Sequence, residues 1–263
     1  MSLRFIDTHC HFDFPPFTGH EAESLALAAA AGVERIIVPS VSAAQFPQVL
    51  ELACRFGAIS PALGLHPLWV TGHLDAHLVQ LEQQLAKPDS PVIALGETGL
   101  DLYMNDPHFA RQEALLDGQL LLAKQYDLPL ILHSRRTHDK LAMHLRRHNP
   151  GRGGVVHGFA GSYEQAKRFV DLGFHIGVGG TITYPRAAKT RDVIARLPAD
   201  ALLLETDAPD MPLNGWQGQP NRPERIAEVF QVLCTLRPGE PGQLAAQILN
   251  NSERLFRFPV TSI

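Results

Sequence analysis

Histidines and carboxylates recur directly after short apolar runs along this 263-residue chain. Leu3–Ile6 runs into Asp7-Thr8-His9-Cys10-His11, and Ala58–Leu63 into Gly64-Leu65-His66. Val92–Leu95 leads to Gly96-Glu97-Thr98-Gly99-Leu100-Asp101, Leu130–Leu132 to His133-Ser134-Arg135, and Gly154–Val156 to His157. Leu202–Leu204 leads to Glu205-Thr206-Asp207. Side chains alternate across a strand, so His9 and His11 share a face, as do Glu205 and Asp207. Imidazole and carboxylate together suit divalent metals, nitrogen-rich shells favouring Zn²⁺ and oxygen-rich ones tolerating Mg²⁺ or Mn²⁺. Four histidines (His9, His11, His133, His157) with Glu97 and Asp207 exceed the needs of one tetrahedral ion with an open position. They fit two ions sharing a bridging carboxylate.

Other polar residues near these positions carry more than one reading. His66 is either a support behind the ligands or a substrate contact, and a hydrogen-bonded structural histidine is the plain alternative. Glu205 is open between a ligand, a base held behind the ligands and a buried partner for another polar group. Asp7 either orients a ligand imidazole or caps local backbone. Arg135 is a candidate phosphate clamp or a surface charge. Cys10 has the opposite parity to His9 and His11 and reads as a buried, inert thiol. His20, His73, His77, His108, His138, His144, His148 and His175 lie off the strand ends and read as surface or packing residues.

The elements that must position these residues follow from the same runs. The six above, with Arg35–Val38 and Phe174–Val178, make eight nearly continuous apolar segments, the pattern of parallel strands covered on both faces. Pro61 weakens the third, because proline donates no ladder hydrogen bond. Helical patterns intervene at Glu21–Ala31, Ala43–Arg55, Ala76–Leu85, His108–Tyr126, His138–Arg147, Ser162–Leu172 and Arg186–Leu197. Ser162 to Gln165 begins like a capping box. Glu224–Leu236, Gly242–Asn250 and a short Ser252–Phe256 close the chain. Eight alternations at this length predict one (β/α)₈ barrel domain spanning 1–263, with its active site at the carboxyl ends of the strands.

Composition narrows the classes further. There are 23 Lys and Arg against 27 Asp and Glu, a net charge of −4. That argues against coating duplex DNA through a broad basic surface. No GxGxxG or GxxxxGK[ST] phosphate loop occurs. Three well-separated cysteines, Cys10, Cys54 and Cys234, predict free thiols and a reducing, cytoplasmic setting, and the N-terminus lacks signal-peptide features. No apolar run approaches the ~18 residues of a membrane span.

With those residues in view, the chain resembles the TatD family of metal-dependent deoxyribonucleases, within the amidohydrolase superfamily. The matching segments are FIDTHCHFD at 5–13, GLHP at 64–67, ALGETGLD at 94–101, LPLILHSR at 128–135, VVHGF at 155–159, LLLETDAPD at 202–210 and NNSERLF at 250–256. The resemblance implies a distorted TIM barrel holding two divalent ions. His9, His11, Glu97 and Asp207 would bind one ion and Glu97, His133 and His157 the other, with Glu97 bridging. Many amidohydrolase relatives bridge with a carboxylated lysine, but the five lysines here all lie outside the strand ends. Where many members carry an acidic residue after the HSR segment, this chain has Arg136.

The resemblance further implies 3′→5′ exonuclease action on single-stranded DNA, with Mg²⁺ or Mn²⁺ as activators and Zn²⁺ as an acceptable occupant. Asp207 is the expected base in phosphodiester hydrolysis and Glu97 its catalytic companion. Tyr103, Tyr184, Arg186, Trp216 and Arg222 are loop residues able to stack on or hold a single strand. Two other readings stay open. One is hydrolysis of a small amide, lactone or phosphate ester by the same metal pair; the other is a non-catalytic, metal-bound scaffold for a protein partner. No membrane association and no obligate protein partner are expected.

Overall fold

The structure, a computed structural model, describes residues 3–258. Eight strands form one parallel sheet in sequence order. They are β1 (Phe5–Asp7), β2 (Val33–Pro39), β3 (Ile59–Leu63), β4 (Ala94–Asp101), β5 (Leu130–Arg135), β6 (Gly154–Val156), β7 (Phe174–Val178) and β8 (Leu202–Leu204). The helices are α1 (Glu21–Ala30), α2 (Phe46–Arg55), α3 (Asp75–Leu85), α4 (Phe109–Gln125), α5 (His138–His148), α6 (Tyr163–Asp171), α7 (Ala188–Arg196), α8 (Ile226–Leu236) and α9 (Pro241–Phe256). The sheet closes on itself just beyond β1 and β8. Thr8 N–H donates to the Leu204 carbonyl at 3.0 Å, Asp207 N–H to His9 at 2.8 Å and His11 N–H to Ala208 at 2.7 Å. The result is the expected distorted TIM barrel.

The apolar residues sort into two layers. The smaller gathers Ile37, Ala62, Ala94, Ile131, Val155 and Leu203 from the strands, and Leu255 and Phe256 from the end of α9. The larger lies between the strands and the surrounding helices. Alternation carries the smaller set into the polar residues: Ile131 is followed two positions on by His133, Val155 by His157 and Leu203 by Glu205. Among the described residues no helix is long and apolar enough to cross a membrane.

Two local expectations are corrected, and the third strand stands despite its proline. First, β4 does not stop at Leu95 but runs to Asp101, so Glu97 lies inside a strand. Its distal half pairs with β5 from Thr98–Leu132 to Asp101–Arg135 after a register shift. Gly99 makes that approach possible, because a Cβ there would occupy the place of the His133 carbonyl oxygen. Pro61 does not break β3. The β3–β4 ladder begins only at Ala62–Ala94, and Pro61 contributes its carbonyl, accepting from Ile93 N–H at 3.0 Å. Second, Gly242–Asn250 and Ser252–Phe256 form the single helix α9. Ser252 hydroxyl bonds back to the Ile248 carbonyl at 3.1 Å, and buried Asn251 donates to the Ala199 and Leu202 carbonyls, both at 2.9 Å. Residues that favour caps in isolation thereby serve packing inside the helix.

Candidate metal centre

All six residues expected as ligands meet at the carboxyl mouth of the barrel, around Glu97. Its Oε2 lies 3.2 Å from His9 Nε2 and 3.4 Å from His11 Nε2. Its Oε1 lies 2.7 Å from His157 Nε2 and 3.2 Å from His133 Nδ1. Asp207 Oδ1 approaches His9 Nε2 at 3.5 Å and His11 Nε2 at 3.8 Å. At the mouth, donor atoms fall into three groups able to hold a metal: His9–His11–Asp207, His9–Glu97–His157 and His66–Glu97–His133. Glu97 is buried, whereas Asp207 retains some exposure, with 17% of its side chain accessible.

The donor chemistry fits divalent cations. His9 Nε2 faces His11 Nε2 at 3.3 Å, and His157 Nε2 faces His133 Nδ1 at 3.4 Å. Two imidazole lone pairs at such range repel unless a proton or cation lies between them. Burial pushes the His9 imidazole down to about 3, with His157 stacked on it at 3.9 Å acting in the same direction. Burial opposes charge on His157 too, yet contact with Glu97 lifts it to about 10. Burial would raise Glu97, but His66, His157 and His9 hold it well below the usual carboxylate range. The pocket thus concentrates a demand for positive charge around one ionised carboxylate.

Neighbouring residues set the orientation of this cluster. His66 Nδ1 accepts from Leu68 N–H at 3.0 Å, which leaves Nε2 as the protonated nitrogen, donating to Glu97 Oε1 at 2.9 Å. His66 therefore holds Glu97 rather than offering a lone pair at that atom. Asp101, in the same strand as Glu97 and four residues on, accepts from His133 Nε2 at 2.7 Å and thereby turns Nδ1 toward the centre. Burial would raise the Asp101 carboxyl, but hydrogen bonds from His133 and Tyr103 N–H hold it below its ordinary value. Asp101 was absent from the sequence-derived site, although its parity with Glu97 in the GETGLD segment was the available signal.

The remaining expected residues resolve as follows. Asp7 caps backbone: Oδ1 accepts from Thr206 N–H at 2.9 Å and His9 N–H at 3.3 Å, and Oδ2 from the Thr206 hydroxyl at 2.5 Å. It ties the ends of β1 and β8 together, although burial pushes its carboxyl up to about 8. Glu205 is buried, accepts from Gly158 N–H at 2.5 Å through Oε1 and leaves Oε2 unpartnered. Its space exists because Gly177 has no Cβ, and burial raises it to about 7. Arg135 is exposed at the rim, its guanidinium 3.7 Å from the Tyr103 ring centroid, with Arg136 at 4.5 Å. Trp216 packs under Arg225 at 3.9 Å and donates to Glu228 at 3.0 Å, so it serves packing. Arg222 pairs with Glu224 at 2.6 Å. Cys10 is fully buried, and burial pushes its thiol well above the ordinary value.

A model of the family described as TatD related DNase matches residues 6–257. The chain is 63% identical over 259 residues to an uncharacterized metal-dependent hydrolase, YjjV, of Escherichia coli strain K12, covering 98% of this chain and all of that one. The crystal structure described as YjjV, a TatD homologue from Escherichia coli K12, superposes with a TM-score of 0.96 over the same shares. A 3′-5′ ssDNA/RNA exonuclease TatD of Erwinia billingiae is 31% identical over 236 residues, covering 87% of this chain and 90% of that one. The chain belongs to the TatD related DNase family and is a metal-dependent hydrolase.

Proposed function

We propose that this TatD family hydrolase cleaves phosphodiester bonds at the ends of single-stranded DNA, in the 3′→5′ direction, using two divalent ions at the barrel mouth. One observation carries the reading: Glu97 faces two imidazole pairs, Oε2 toward His9 and His11 and Oε1 toward His133 and His157, with Asp207 at the solvent-accessible edge beside the first pair. His9, His11, Glu97 and Asp207 would hold one ion and Glu97, His133 and His157 the other, with Mg²⁺ or Mn²⁺ for activity and Zn²⁺ tolerated. Such ions supply Lewis acidity, lowering the pKa of water and screening phosphate charge.

The chain's own residues divide the remaining work. Glu97 keeps the two donor sets at a fixed spacing, and His66 holds Glu97 by its Nε2–H. Asp207, raised by burial, is a base poised to take a proton from the attacking water. Its backbone adopts φ +58°, a left-handed conformation that aspartate tolerates better than most residues, and its Oδ1 lies 3.5 Å from His9 Nε2. Glu205 stands behind the centre as a proton-accepting reserve. The Arg135–Tyr103 stack at the rim offers a guanidinium for phosphate and an aromatic edge for a base. The exonuclease name of the Erwinia billingiae relative supports a nucleic acid substrate. The free cysteines accord with a cytoplasmic location.

The test is hydrolysis of end-labelled single-stranded DNA, RNA and small phosphodiesters by chelator-stripped protein with Mg²⁺ or Mn²⁺ restored. Asp207→Asn is expected to fold normally and lose at least about a thousandfold in kcat. Hydrolysis of the small phosphodiesters alone, with DNA and RNA left intact, would overturn the nuclease reading. Normal turnover by Asp207→Asn would overturn its role as base.

A further inference from the structure

A second cluster of ligating side chains lies away from the mouth, in the helical layer outside the barrel. Glu113 and Asp117 stand one turn apart on α4, and His144 and His148 one turn apart on the adjacent α5. Residues at this spacing share a helix face, so each helix presents a pair to the other. Asp117 Oδ1 lies 2.6 Å from His144 Nδ1 and 2.8 Å from His148 Nε2. Glu113 Oε1 lies 3.1 Å from the other nitrogen of His144, Nε2. His144 is 6% exposed and His148 13%. His148 Nε2 is buried without a properly directed hydrogen bond, despite its closeness to Asp117.

We propose that Asp117 Oδ1, His144 Nδ1 and His148 Nε2 form a separate site for a borderline divalent ion of the Zn²⁺ type. Three features converge. These atoms already lie within 4.8 Å of one another. Bond lengths to Zn²⁺ near 2.0–2.2 Å place tetrahedral ligands about 3.3 Å apart, so the two pairs that Asp117 makes, at 2.6 and 2.8 Å, open by less than about 1 Å, within reach of a turn of its partly exposed carboxylate. Glu113 accepts the Nε2–H of His144 from behind, the carboxylate–histidine arrangement that fixes a ligating tautomer. An N₂O set selects Zn²⁺, Co²⁺ or Ni²⁺ over Mg²⁺, which requires an oxygen shell. Three protein ligands leave one position for water. The ion pins α4 to α5, the helices that follow the strands bearing Glu97 and His133, and so stiffens the barrel from outside.

The experiment counts Zn²⁺ bound at equilibrium by chelator-stripped, full-length protein, with free Zn²⁺ buffered in the low-micromolar range and Mg²⁺ in excess. Wild type, His148→Ala and Asp117→Asn are compared after circular dichroism confirms their folding. Both variants are expected to bind one ion fewer per chain than wild type and to lose part of the Zn²⁺-dependent rise in Tm. Only the difference is read, so the number of ions held at the mouth does not enter. Asp117 is partly exposed, so its isosteric variant preserves the test if His148→Ala fails to fold. Equal zinc counts in wild type and a folded variant would overturn the proposal and leave the four side chains as an ion-pair cluster.

Discussion

Asp101→Asn separates positioning from packing at the mouth. Both Asp101 oxygens are in use: Oδ1 accepts from Tyr103 N–H and Oδ2 from His133 Nε2–H, each at 2.7 Å. Asparagine is isosteric but keeps one accepting oxygen, so one donor must face an NH₂ group. Tyr103 N–H lies in a loop beside solvent and can turn to water. With Tyr103 N–H turned to water the amide oxygen can stay on His133 Nε2–H, but it lacks the negative charge that favours Nε2 as the protonated nitrogen, so Nδ1 is held less firmly toward Glu97. A charge-assisted hydrogen bond of this kind contributes about 1.5–3 kcal/mol. Loss of such an outer partner costs about 10–100-fold in metal affinity, or about 1.4–2.7 kcal/mol. Titration of stripped protein with Mn²⁺ against a competing chelator measures it. Asp101→Asn is expected to weaken binding within that range while retaining the fold, and to add little on a His133→Ala background, because it acts through that ring. Affinity within about twofold of wild type would refute the argument.

Two further outcomes follow from the same geometry. Gly99→Ala places a methyl group against the His133 carbonyl and is expected to destabilise the fold by at least about 3 kcal/mol or abolish soluble expression; an unchanged urea midpoint would show that β4 and β5 can separate freely. Thr206→Val removes the hydroxyl that donates to Asp7 Oδ2 and accepts from Ala208 N–H at 3.2 Å. Two buried groups left unpaired predict a loss of about 2–4 kcal/mol in urea unfolding, with weaker metal binding because the His9 and Asp207 ends drift apart.

The barrel and the six mouth residues were readable because apolar strands buried on both faces leave a polar residue at their ends with little structural reason to be there. Glu97 proved to lie within a strand, because the pairing beyond it depends on Gly99 yielding space to the His133 backbone, which no periodicity reports. Asp101 went unassigned because its role depends on which nitrogen of His133 faces inward, a fact of tertiary geometry. His144 and His148 read as surface or packing residues because their partners sit on a different helix and meet them only through packing. Trp216, a candidate for stacking on substrate, is engaged by Arg225 and Glu228 instead.

The central claim, that the mouth assembles two cations around one carboxylate, is tested most directly by anomalous diffraction from Mn²⁺-loaded crystals of the whole protein. Two peaks flanking Glu97 are expected, one beside His9, His11 and Asp207 and the other beside His133 and His157. A mouth with no peak, or one peak unaffected by Glu97→Ala, would contradict it.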